Sequence, residues 1–354
     1  MKVTDWIARI QPLDERAMQA ARLRQDRLTK PMGSLGRLEA LSVQIAGITR
    51  QALPHLRHKV VTVMAGDHGV VRQGVSAYPQ DVTPQMVLNF LSGGAAINVL
   101  ARHTGARVVV VDMGVAADLP PHPDLVVKKI AYGTSDITTG PAMSRSQAER
   151  AILAGAEVVE QELGRSLDIL ATGDMGIGNT TPSAAIAVAL TGYPAEQIVG
   201  RGTGIDETGL QRKRSIVQRA MEVNAPNPGD GLEILAKVGG FEIAGLVGAI
   251  LASTANSRPV VIDGFISTAA AMLAVSLCPQ VRGYLIAAHA SPELGHLRML
   301  EWLQLEPLLD LEMRLGEGTG AVLAMSIAEA ACKILCEMAT FDEAGVSEKT
   351  KERG

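Results

Sequence analysis

Acidic, imidazole and hydroxyl side chains recur in this sequence beside clusters of glycine, a pairing suited to proton transfer next to an anion held by bare backbone amides. Gly173-Asp-Met-Gly-Ile-Gly-Asn-Thr-Thr181 is the densest cluster, with three glycines, Asp174, Asn179, Thr180 and Thr181 in nine residues. Its position between a β-branched run and a helical pattern favours amides aimed at a phosphate or carboxylate over a merely tight strand-to-helix turn. A second loop, Gly200-Arg-Gly-Thr-Gly-Ile-Asp206, precedes a helix carrying Arg212, Lys213 and Arg214. One of these cations can neutralise a phosphate on the loop, although a helix cap followed by a solvated basic face accounts for the pattern equally well. The loop lacks the Gly-Lys-Ser/Thr of a Walker A motif.

Leu315-Gly-Glu-Gly-Thr-Gly320 sets one carboxylate, Glu317, among three glycines just before a long apolar helix. The glycines let a flat ligand come close, and partial burial would raise the acid's pKa toward a value useful in a base. Taken alone, a carboxylate complementing the helix dipole is the plainer reading. Asp67-His68 and His289-x6-His296, with Glu293 between, form a conceivable metal set. Their spacing matches no helical His pair and no Cys joins them, so no metal is expected.

The elements that must position these groups follow from the patterning. Near-continuous β-branched runs at 60–64, 107–111, 168–171, 260–262 and 284–287 have the composition of strands covered on both faces. Helical patterns lie between them near 83–103, 144–163, 182–191, 206–223, 241–253, 264–277 and 319–339. Ser144-Arg-Ser-Gln147 opens one of them as a capping box. A charged helix over 14–29, with few apolar anchors, and another from about Leu38 precede the first strand. Alternation of this kind predicts an α/β fold, an open parallel sheet with helices on both faces, whose ligand site lies beyond the strands' carboxyl ends. Those ends are Asp67-His68-Gly69, Asp112-Met113-Gly114, the 173–181 loop, Asp263-Gly264 and His289-Ala290-Ser291. Five strand ends thus deliver Asp, His, Ser, Thr and bare backbone to one rim.

Composition narrows the classes. Hydrophobic residues make up 47% of the 354, aromatics only 3%, and the 36 glycines suit alternating helices and buried strands better than a β-sandwich. With 33 basic against 37 acidic residues and a net charge of -4, no basic stripe with interleaved aromatics supports nucleic-acid binding. Cys278, Cys332 and Cys336 cannot all pair, which points to a reducing cytoplasm, with the last two read as core thiols. No secretory signal is visible, and the stretches 269–277 and 321–327 are too short to span a bilayer. The tail 341–354 is expected to fray.

Together, Lys30-Pro-x-Gly-Ser-Leu-Gly-Arg-Leu-Glu39, Ala65-Gly-Asp-His-Gly-Val70, Gly74-Val-Ser-Ala-Tyr-Pro79, the 173–181 and 200–204 loops, Asp263-Gly-Phe-Ile-Ser267 and Glu306-Pro-x2-Asp-x3-Arg-Leu-Gly-Glu-Gly-Thr-Gly-Ala321 resemble the nicotinate-nucleotide:5,6-dimethylbenzimidazole phosphoribosyltransferase family, nearly end to end. The resemblance implies conversion of nicotinate mononucleotide and dimethylbenzimidazole to α-ribazole 5′-phosphate and nicotinate, in a homodimer needing no cofactor. It implies a Rossmann-like large domain over 59–310. The N-terminal segment 1–58 and the catalytic loop and helix over 311–340 would form a smaller helical domain, followed by the tail 341–354. By the same likeness Glu317 is the catalytic base. A second acidic position falls on Asp174, one methylene shorter than the Glu of the family's pattern. Gly176, Gly178, Gly202, Gly204 and Lys213 are expected at the phosphate. Tyr78, Gln85, Met86 and Leu315 would wall the base pocket, and Asn179, Thr180, His289 and Ser291 would lie on the nicotinate and ribose side. Two rivals are a nucleotide-binding regulatory module without turnover, and a metal-dependent hydrolase at Asp67, His68, His289 and His296.

Overall fold

The computed structural model of the chain describes residues 2–202 and 204–347. Its β-branched runs form six strands: β1 (Lys59–Gly66), β2 (Ala106–Gly114), β3 (Leu125–Val127), β4 (Ile169–Met175), β5 (Val260–Ile262) and β6 (Leu285–Ala287). Every pairing is parallel, in the order β3-β2-β1-β4-β5-β6. Successive residues of a strand face opposite ways, so Val60 and Met64 of β1 join one apolar layer while Val61, Val63 and Ala65 join the other. That is why these strands are apolar throughout rather than alternating.

Fifteen α-helices and two short 3-10 helices, Gly69–Gln73 and Pro279–Tyr284, accompany the strands among the described residues. α1 (Val3–Ile7), α2 (Glu15–Gln25) and α3 (Arg37–Thr49) precede the sheet. α4 (Val82–Leu91) and α5 (Ala96–Thr104) follow β1, and α6 (Arg145–Leu163) follows β3. α7 (Thr180–Thr191), α8 (Ala195–Ile198), α9 (Glu207–Asn224), α10 (Gly231–Val238) and α11 (Phe241–Ala255) separate β4 from β5. α12 (Phe265–Leu277) follows β5, and α13 (His296–Leu303), α14 (Thr319–Glu337) and α15 (Phe341–Ala344) end the chain. α6, α11 and α12 cover one face of the sheet, while α3, α5 and α14 cover the other. Ser144 caps α6 as the sequence predicts, accepting from the Gln147 amide while Gln147 returns a bond to the cap amide.

Several details depart from the expectations. The pattern at 83–103 is two helices, because Ser92-Gly93-Gly94 breaks it and Gly93 adopts φ +75°. β3, α8, α10 and α13 were not anticipated. α2 is less superficial than its charge indicates, since Ala17, Ala21 and Gln25 are buried. The first residues of the tail do not fray: Thr340 and Glu343 form a capping box for α15, and the Phe341 amide donates to the Arg27 carbonyl. Residues 348–354 of that tail lie outside the described residues. Cys332 is buried but Cys336 only partly so.

The stretch 321–327, taken alone as too short to span a bilayer, sits in a helix of 19 residues. α14 is the one helix among the described residues long and apolar enough for that by length and composition. It packs against α3, α5, β4 and β5 and buries Ala321, Val322, Ala324, Met325, Ala328 and Leu335 in the protein interior.

Candidate active site

The strand order reverses between β1 and β4, where helices on opposite faces leave a crevice at the carboxyl ends of the strands. A cleft of about 660 Å³ opens there. β4 ends in it with Asp174, Met175 and Gly176, the segment after β6 brings His289 and Ser291, and the turn before α14 brings Leu315, Gly316 and Glu317. A smaller cavity of about 270 Å³ between α3 and β6 contains no Asp or His and stands apart from these groups.

Glu317 stands in a conformation its residue type disfavours. Gly316, Glu317 and Gly318 have φ of +85°, +63° and +89°, three consecutive left-handed residues of which only the outer two are glycine. A side chain at 173 would run into the Glu317 carbonyl, so the bare Cα of β4 backs the turn directly. The Glu317 side chain, 5% exposed, accepts a hydrogen bond at Oε2 from the Ile97 amide at 3.2 Å, in the first turn of α5. Burial raises its pKa, the Ile97 amide opposes that, and Asp263 nearby raises it further.

Asp174 is more strongly perturbed. Burial first and then the charge of Asp263 push its carboxyl up to about 7, against the bond that Asn179 Nδ2 donates to its Oδ2 at 2.9 Å. It therefore titrates near neutrality. Behind it His68 stands 2.8 Å from Glu242, both buried. Burial disfavours the imidazolium, but Glu242, Asp67 and Asp174 outweigh that and raise the His68 pKa. Asp263, at the end of β5, is pushed up by burial and pulled back by His289 and by backbone amides of the α14 turn.

Lys213 is the group the sequence left most ambiguous, and it does not sit on a solvated basic face. Only 1% exposed, its Nζ donates to Thr180 Oγ1 at 2.7 Å and to the Gly200 carbonyl at 3.3 Å, joining the two glycine-rich loops. Burial lowers its pKa to about 8, with partial compensation from Glu293. The signal was available: Leu210, Lys213, Ile216, Val217 and Ala220 share the buried side of α9 at three- and four-residue spacing.

Of the other anticipated residues, Asn179, Thr180, Gly176 and Gly202 line the cleft on its polar side, and Tyr78, Met86 and Leu315 on its apolar side. Gly204 lines an adjoining recess of about 430 Å³ with Arg201, Arg214 and Arg314. Gly178 does not line the cleft; it holds φ +86° at the turn into α7 and packs on Val71. Gln85 is exposed on α4 and is not a lining residue, because Val82 and Met86 occupy the side of that helix facing the cleft. Phe265, Ile266, Glu293 and Arg314 do line it without having been given a role there, although all four stand within or beside motifs already noted.

The metal set does not assemble. Among the described residues no group of three or more His, Cys, Asp or Glu converges to hold an ion. His296 uses both ring nitrogens within the protein: Nδ1 accepts from the Ser291 amide at 3.0 Å, and Nε2 lies 3.0 Å from Thr268 Oγ1. Burial pushes its pKa down to about 3.

A family model described as phosphoribosyltransferase matches residues 10–346. The chain belongs to this phosphoribosyltransferase family. The enzyme named nicotinate-nucleotide–dimethylbenzimidazole phosphoribosyltransferase in Chloroflexus aurantiacus is 62% identical over 98% of this chain and 99% of that protein. Its namesake in a Roseiflexus species is 61% identical over 99% of each. Among solved structures, the crystal structure of CobT from Thermus thermophilus superposes with a TM-score of 0.92 at 50% identity, covering 94% of this chain and all of that one. A phosphoribosyltransferase acts on small molecules, which fits a cleft joining a polar, glycine-lined side to an apolar one and sets aside the regulatory and hydrolytic alternatives.

Proposed function

We propose that the chain transfers the 5-phosphoribosyl group of nicotinate mononucleotide to 5,6-dimethylbenzimidazole, yielding α-ribazole 5′-phosphate and nicotinate for the lower ligand of cobalamin. Support for the substrates comes from the relatives' shared name over nearly the whole chain. The observation that carries the mechanism is Glu317, a buried carboxylate held by one amide bond beside the apolar wall of the cleft.

The glycosidic nitrogen of the donor is already cationic, so breaking its bond to C1′ returns the electron pair to the pyridine ring and nicotinate leaves without a general acid. One nitrogen of the benzimidazole attacks C1′ from the opposite face, which converts the β-linkage to α. The product cation loses the proton on its other nitrogen to Glu317, which a position within about 3 Å would both orient and deprotonate. Tyr78, Val82, Met86 and Leu315 offer the flat base an apolar wall, and Gly176, Thr180 and Gly202 offer the phosphate a polar one, with Lys213 behind that lining, bonded to Thr180 and Gly200. Asp174 lies where negative charge would favour an oxocarbenium-like ribose, and His289 and Ser291 lie on the leaving-group side.

We also read 1–58 and 311–340 as a smaller helical unit, supported by a separate apolar cluster of Ala21, Val43, Ala46 and Leu335. A homodimer is part of the same proposal, supported by exposed apolar side chains at Tyr78, Leu88, Val99 and Leu315. Purified Glu317→Gln should release nicotinate roughly 10²–10⁴-fold more slowly than wild type, with nucleotide affinity nearly unchanged by calorimetry. Turnover of Glu317→Gln at the wild-type rate would remove Glu317 as the base.

A further inference from the structure

We propose that Asp263 is the positioning residue of this site: from the end of β5 its carboxylate pins the left-handed turn that carries Glu317 and so fixes where the base stands. The inference rests on the role given above to Glu317.

Within the turn the Thr319 amide and hydroxyl both donate to the Gly316 carbonyl, at 3.1 and 2.8 Å, and no side chain of the turn itself caps the helix that follows. α14 begins on Gly318, whose lack of a side chain leaves the helix without an ordinary cap. Asp263 supplies one from another element. Its Oδ2 accepts from the Gly318 amide at 3.2 Å and its Oδ1 from the Ala321 amide at 2.9 Å, across sequence separations of 55 and 58 residues. The carboxylate is 1% exposed, so no water competes for these bonds. His289 closes the clamp from behind, its Nδ1 3.7 Å from Asp263 Oδ1, and Gly320 passes so near the imidazole that a side chain at 320 would overlap it. Glu317 is therefore gripped on three sides: by the Ile97 amide at its carboxylate, by the bare Cα of Gly173 at its carbonyl, and by Asp263 through the next residue. Of these, Asp263 alone is a charged side chain, and its charge raises the proton affinity of the base it holds.

The ionisable groups facing Glu317 are Asp174 on β4 and Asp263 just after β5, with His289 behind Asp263 and the His68–Glu242 pair behind Asp174. α5 presents Ala95 to Asn98 there and keeps Arg102 and His103 exposed in its last turn. α4 presents Val82 and Met86. α3 has Arg37 bonded to the Glu306 and Pro307 carbonyls and Glu39 paired with Lys30.

The test compares Asp263→Asn, Asp263→Glu and Glu317→Gln in the full chain. Asp263→Asn removes the charge and one acceptor. It should lower kcat about 10–100-fold with KM for the nucleotide nearly unchanged, and should move the acid limb of the kcat profile to lower pH, because a neutral neighbour lets Glu317 ionise earlier. Asp263→Glu keeps the charge but displaces the oxygens, so kcat should fall while the limb stays. A merely structural loss would leave the limb in place in both. Wild-type kcat and an unshifted limb in both variants overturn the proposal. Should neither variant fold, amide exchange in the wild-type protein decides: slow exchange at Gly318 and Ala321 supports the clamp, and exchange at the rate of exposed loops overturns it. Turnover in Glu317→Gln would instead sink the reading of Glu317. An inactive Glu317→Gln beside fully active Asp263 variants would sink only the clamp.

Discussion

A lysine buried with no carboxylate at ion-pair distance among the described residues has a charge the unliganded fold does not neutralise, and Lys213 is in that position. A phosphate bound between Thr180 and Gly200 would supply the missing anion. With a pKa of about 8, the lysine is mostly protonated below that pH and progressively neutral above it. Affinity for nicotinate mononucleotide should therefore weaken as pH rises beyond 8, a trend absent from Lys213→Met, as titration calorimetry above and below that pH would check. A flat wild-type profile would mean that Lys213 does not meet the phosphate as a cation. Much of the cleft lining was legible at this scale, since Asp174 and Glu317 stand beside glycine at a strand end and a helix start and His289 follows a strand. Asp263 was visible as a strand end, but its bonds to Gly318 and Ala321 join positions more than fifty residues apart, which no local pattern encodes. Gln85 misled because likeness places a segment, whereas the turn of a helix decides which of its residues face inward.

At the scale of elements, the tightest joint is the crossing of α6 and α11. A methyl group on Gly248 would overlap the Ile152 carbonyl, and one on Gly155 the Gly245 carbonyl, so the two backbones touch where side chains would hold other helices apart. Gly248→Ala must separate them, and should cost about 1–3 kcal/mol or somewhat more, read as a lower midpoint in urea. The folded fraction should keep its kcat, because the crossing lies on the sheet face opposite α14. Long elements were the legible ones: α6, α9, α11, α12 and α14 lie within a few residues of their expected bounds. β3 was not, because three residues between proline-rich and charged stretches give too short a run to show a period, and its pairing with β2 forms it.

Across the whole molecule, the reversal of strand order between β1 and β4 gathers groups from β4, β5 and the segments after β1 and β6 into one cleft. Ligand binding there should stabilise the fold as a unit. Nicotinate mononucleotide at a hundred times its Kd should add about 2.7 kcal/mol, seen as a higher melting temperature in wild type and in Glu317→Gln alike. Lys213→Met at the same concentration should lose most of the gain, and an equal gain in that variant would place the nucleotide elsewhere.

α14, which starts two residues after Glu317, is synthesised after every strand of the sheet. Until it emerges from the ribosome, one face of the sheet, with Val61, Val63, Ala171 and Val261, lacks a main part of its cover. The strand-end acids can gather early, but Glu317 arrives with the helix that completes the apolar layer, and the bond from the Phe341 amide to the Arg27 carbonyl then ties this later segment to one made before the sheet. A nascent chain halted before residue 317 would carry both glycine-rich loops without Glu317, and so lack the carboxylate proposed to take the proton.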